Sequence, residues 1–225
     1  MYIGSMGRIK PLGGTFRARD GTPTLARVDT AIFRHHYFTH CLACTFCHDQ
    51  CCEDGVDVDF EHVRAIERHA TDLEAYTGVP RSEWFTDDVD HDPDYPGGGA
   101  RRTATRDGGC IFLTPGGRGC RLHAFCLERG IDYHELKSPV DCLFPLTWFD
   151  DVLCAADEVE DGELICTGTG PTLYRGIRHE VLYYFGDACV AALDRIETEV
   201  IAAIDPHQAP TPKARGPSRL TRSAP

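Results

Sequence analysis

Apolar residues recur every three or four positions in two stretches of this chain, and elsewhere gather in runs too short for a helix. In the first stretch, Val63, Ile66, Ala70, Leu73 and Tyr76 fall on one helical face. Asp59 stands where an N-cap accepts an unpaired amide, Glu61 suits the positive end of the helix, and Gly78-Val79-Pro80 stops it. The second stretch is longer. Leu173, Ile177, Val181, Phe185, Cys189, Leu193, Ile196, Val200 and Ile204 predict an amphipathic helix from Pro171, at its first position, to about residue 204. Short apolar runs predict strands at 109–114, 120–123, 146–149, 152–155 and 164–166. The Pro115–Gly119 turn would fold the first two of these into a hairpin, and a short helix follows at 124–129, stopped by Gly130.

What remains is weakly patterned. Residues 1–30 read as an arm with a short strand around 16–28, and 31–52 as a knot dense in His, Phe and Cys. Asp, Pro, Gly and Arg dominate 86–109, which predicts a mobile loop, while 205–225 has the composition of a disordered tail. The expected fold is therefore α+β: one domain over 31–204, with a small, irregular, metal-stabilised, cysteine-rich core. A few short antiparallel strands and two main amphipathic helices complete it.

Charge narrows the functional classes. With 225 residues and a net charge of −12, the chain lacks the positive surface that nucleic acid or an anionic membrane would require. No apolar run approaches the roughly 20 residues that span a bilayer. The segment from Met1 to Arg8 has no stretch suited to a secretory signal, so a cytoplasmic location is expected. Thiols stay reduced there, and 12 cysteines then point to metal ligation or redox chemistry rather than to disulfides.

The spacing of those cysteines carries the chemistry. Cys41, Cys44, Cys47, Cys51 and Cys52 fall in one short run, C-x2-C-x2-C-x3-C-C. Short intervals let one turn of backbone present several sulfurs to a soft ion about 2.3 Å from each. Adjacent side chains usually point apart, so the Cys51-Cys52 pair favours more than one ion. Cys126, Cys154 and Cys189 read as packing residues, with Cys189 on the apolar stripe of the long helix. Cys41, Cys166, His48 and His123 stay open as ligands. Signatures of other chemistry, such as G-x-S-x-G, H-E-x-x-H and G-x4-G-K-[ST], are absent.

Three pieces in a fixed order resemble one family. Cys44-x2-Cys47-x3-Cys51-Cys52 comes first, Cys110-Ile-Phe-Leu with Cys120-Arg-Leu-His second, and Pro139-Val-Asp-Cys142-Leu-Phe-Pro145 third. Across roughly 41–166 this is similar to the YkgJ-like cysteine-cluster proteins, a zinc- or iron-chelating family, in a longer-spaced branch. Here three residues separate Cys47 from Cys51 where a tighter ending is usual, and Ser138-Pro139 replaces the usual Arg-Pro. The resemblance implies a ligand set of Cys44, Cys47, Cys51, Cys52, Cys110, Cys120 and Cys142, holding zinc, iron or an iron–sulfur cluster. It also implies an alternative. Flagellin lysine N-methylases resemble the same family, and on that likeness the chain would modify a protein or peptide with S-adenosylmethionine, using 86–109 as a lid. A structural zinc scaffold for protein partners is the third expectation.

Overall fold

A computed structural model describes residues 8–39 and 46–203. The first two strands, β1 (Ile9–Arg17) and β2 (Thr24–Asp29), pair antiparallel. They join β9 (Leu146–Phe149) and β10 (Val152–Ala155) in a four-stranded sheet of order β1-β2-β10-β9, where β10 runs parallel to β2. From residue 8 onward, the stretch expected as an arm is thus integral to the main sheet. Its apolar residues explain why: Leu12, Leu25 and Val28 are almost wholly buried, which an arm could not achieve.

After a two-residue strand β3 (His36–Tyr37), the chain reaches β4 (Asp57–Asp59), α1 (Phe60–Arg68) and α2 (Ala70–Thr77). The Asp59 side chain caps α1 by accepting from the His62 amide at 3.0 Å. His69, with non-helical dihedrals, divides what the periodicity reads as one helix. The segment expected as a loop carries three strands: β5 (Phe85–Asp90), β6 (Ala100–Thr103) and β7 (Thr105–Arg106). Order β4-β6-β5 makes a second sheet, and β7 pairs with β8 (Gly109–Cys110). Fully buried Ala100 and Thr103 hold β6 in place despite the polar sequence around them.

The expected hairpin is reduced to a single bridge between Leu113 and Cys120. Residues from Arg121 onward turn into α3 (Arg121–Arg129) rather than a return strand, because Leu122, Phe125 and Cys126 bury one helical face. Next come α4 (Pro139–Leu143), the strands β9 and β10, a single turn α5 (Asp157–Glu160) and β11 (Thr167–Thr172), which pairs with β3. Pro171 therefore lies in a strand and does not open the last helix. That helix, α6 (Leu173–Ala203), departs from helical dihedrals at Ile177 and at Gly186.

The result is an α+β fold with two apolar cores. The larger joins α6, the four-stranded sheet, α4 and β3; the smaller joins α1, α2, α3 and the Cys110–Phe112 segment. Tyr133 packs against both. No helix among the described residues is long and apolar enough to cross a membrane.

Candidate metal centre

Three side chains meet beside that shared tyrosine. Asp132 accepts from the His134 amide at 3.1 Å, which starts a tight 3-10 turn over Tyr133–Glu135. Four residues on, Ser138 and Pro139 begin α4, whose fourth residue is Cys142. Glu180 comes from α6 and is 5% exposed, although the surrounding Ile177, Val181 and Tyr184 would suit a purely apolar face. The ligand atoms of His134, Cys142 and Glu180 lie within 4.8 Å of one another, the one such trio among the described residues. Donors at 2.0–2.3 Å from a shared ion stand no farther apart than about 4.6 Å, so small side-chain adjustments suffice.

The imidazole is held on every side. Its Nδ1 lies 2.6 Å from an Asp132 oxygen, and its Nε2 2.8 Å from Glu180 Oε2. The rings of Tyr133 and Tyr183 stack on its two faces, with centroids 4.1 and 3.5 Å away. Tyr133 donates through its hydroxyl to Glu180 Oε1 at 2.6 Å, which leaves Oε2 turned toward the imidazole. A carboxylate behind a histidine nitrogen is the usual support of a metal-bound imidazole, since it fixes the ring and makes the other nitrogen a better donor.

The electrostatics combine an imidazole–carboxylate pair that favours its charged form with a thiol that burial keeps protonated. Burial opposes charge on His134, but its hydrogen bonds to Glu180 and Asp132 outweigh that and raise its pKa. Burial likewise pushes Glu180 up, and His134 and Tyr133 reverse the direction, holding it below the usual carboxylate range. The Cys142 thiol is pushed up to about 12, chiefly by burial and against the pull of Lys137. A bound cation would have to displace the proton from that sulfur, as metal binding to thiols generally does. One nitrogen, one sulfur and one oxygen suit zinc or ferrous iron.

The other expected ligands are distributed as follows. Cys44 lies outside the described residues, as does Cys41. Cys47 is buried against the larger core, and its sulfur accepts from Arg118 at 2.9 Å. Cys51 and Cys52 share a 3-10 turn with sulfurs 4.0 Å apart. Adjacency therefore does not force these two side chains apart, and the argument from it for a second ion falls away. Cys110 is buried, donates to Thr103 Oγ1 at 3.2 Å, and packs in the smaller core. Cys120 precedes α3. Burial works against the charge on Lys137, yet the fields of Asp141, Cys142, Cys120 and Cys52 together raise its pKa. Sulfurs from three distant segments thus act electrostatically on one ammonium group, but among the described residues only Cys142 joins a three-donor group.

Cys126, Cys154 and Cys189 are buried in the protein interior, as their packing role predicts, and Cys166 is buried in the larger core. His123 stacks on Tyr133, and burial followed by Lys137 lowers its pKa to about 4. Sequence reasoning missed His134 and Glu180. Two signals were present: the Asp132-x-His134 spacing of a side-chain-capped turn, and an acid set among apolar positions of a long helix.

No family model, curated protein or solved structure matches this chain.

Proposed function

We propose that this is a metal-binding protein, with zinc or iron held through His134, Cys142 and Glu180. One observation carries the reading: two buried donors and one half-buried one, of three chemical types and from segments up to 46 residues apart, lie within reach of a single ion. Cys142 packs in the larger core and donates to the Lys137 carbonyl at 3.7 Å, with its sulfur within reach of the imidazole and carboxylate. Likeness of the cysteine order to the YkgJ-like family supports the same function. It adds Cys44, Cys47, Cys51, Cys52, Cys110 and Cys120 as a thiol-rich flank able to hold further metal.

Elemental analysis of anaerobically purified protein tests this. At least one zinc or iron per chain is expected, with about one lost in Cys142→Ser and in His134→Ala and none in Cys189→Ala. A broad absorption near 400 nm would identify an iron–sulfur cluster, and a colourless protein zinc. Less than about 0.2 metal per chain, or occupancy indifferent to both variants, would overturn the proposal.

A further inference from the structure

We infer that the His134–Cys142–Glu180 centre is an open site, which takes an exogenous oxygen-type ligand hydrogen-bonded by Tyr184. The inference rests on the metal reading above and concerns what completes the coordination shell.

Structural zinc sites are closed by four protein donors, whereas sites that act on a ligand keep three and leave a position free. Here the described residues supply three. Tyr184 stands beside the trio. It follows Glu180 by four residues, one turn of α6, and the backbone stays helical between the breaks at Ile177 and Gly186, so both side chains share a face. Its ring meets His134 edge-on at 5.8 Å between centroids, and its hydroxyl lies against the Cys142 sulfur. That hydroxyl is buried, on a residue only 2% exposed, and forms no hydrogen bond of normal geometry.

A buried hydroxyl whose neighbouring acceptor is a thiol sulfur is poorly satisfied, so its place beside two of the three donors calls for a better acceptor. The Cys142 sulfur is a weak one. An oxygen atom on the ion is a strong one, and its negative charge would be stabilised by a phenol that donates. Cys142, Glu180 and Tyr184 are each less than a tenth exposed, so the ligand is no larger than water, hydroxide or a small anion. The chemical class is that of a Lewis-acid centre that polarises a bound water.

Cobalt(II) loaded into the full-length protein reports on both levels, with azide as the probe of the free position. The expected result is a cobalt spectrum whose visible bands shift saturably with azide. Tyr184→Phe should bind cobalt undiminished but hold azide roughly ten-fold more weakly, the loss expected for one hydrogen bond to a charged group. Failure of cobalt to bind would overturn the metal reading itself. Cobalt that binds with a four-coordinate spectrum silent to azide would leave that reading standing and overturn the open site. If Cys44→Ser then admitted azide, that cysteine would be the closing ligand. Equal azide affinity in Tyr184→Phe and the parent would remove Tyr184 from the site.

Discussion

Gly170 shows how a single residue can hold two segments together. Its φ is +85°, and a Cβ there would lie 2.7 Å from the Tyr37 carbonyl oxygen, where β11 meets β3. Gly170→Ala should therefore destabilise the fold by about 2 kcal/mol or more, through strain at positive φ plus the clash. Urea unfolding would show it, and an unchanged midpoint would contradict this account of the pairing. The same residue explains a difference from the pattern-based expectation. Gly168-Thr-Gly-Pro171 has the composition of a helix start, but pairing with His36 and Tyr37 makes it a strand. Cysteines divide similarly: Cys189 sits on a periodic apolar stripe and is buried as its position predicts, whereas nothing local distinguishes Cys142 from Cys110. Only their neighbours do, a histidine and an acid for one and a threonine hydroxyl for the other.

At the scale of elements, α6 was the most legible part of the chain, because among regular structures only a helix satisfies a period of three and four sustained over 31 residues. Its polar contacts were not legible. Asp194 accepts from Arg178 at 2.6 Å and from the Tyr174 hydroxyl at 2.8 Å. Arg178 above all holds Asp194 below the usual carboxylate range. A depressed native value means the pairing stabilises the fold above the unfolded-state pKa of about 3.9, and that this is lost as pH falls through the lower native value. Asp194→Asn should thus be less stable than the parent at neutral pH, the gap closing below about pH 4. Parallel curves of denaturation midpoint down to pH 2 would show that this carboxylate contributes nothing. By contrast, the first turn of α3 reads as a strand from its pattern. A period of two and a period of three or four cannot be told apart across four residues, and the long-range burial of Leu122, Phe125 and Cys126 settles the choice.

For the molecule as a whole, the decisive feature is the seam between the two cores. Tyr133 packs against both, and its hydroxyl holds Glu180 in the proposed metal centre. Ligand that binds only the folded chain stabilises it by RT ln(1 + [L]/Kd), about 2.7 kcal/mol at a hundred-fold excess over Kd. Added zinc should therefore raise the thermal midpoint and a chelator lower it, with both cores melting together because the centre ties them at one place. A metal-independent midpoint would count against any ion at this seam.

The order of residues alone determined the α+β class, the two amphipathic stretches, the acidic balance of charge, and the crowd of sulfurs that first suggested a metal. Each of these is a matter of composition or of short-range periods, and such signals survive without knowledge of the fold. Tertiary structure decided the rest. Whether 8–29 is an arm or half a sheet depends on strands that arrive more than a hundred residues later. Likewise, His134 and Glu180 acquire meaning only when α6 folds back on α4 and brings a buried acid, an imidazole and a thiol to one point. Contacts of that kind follow from how apolar faces find partners to bury, and no local spacing encodes them.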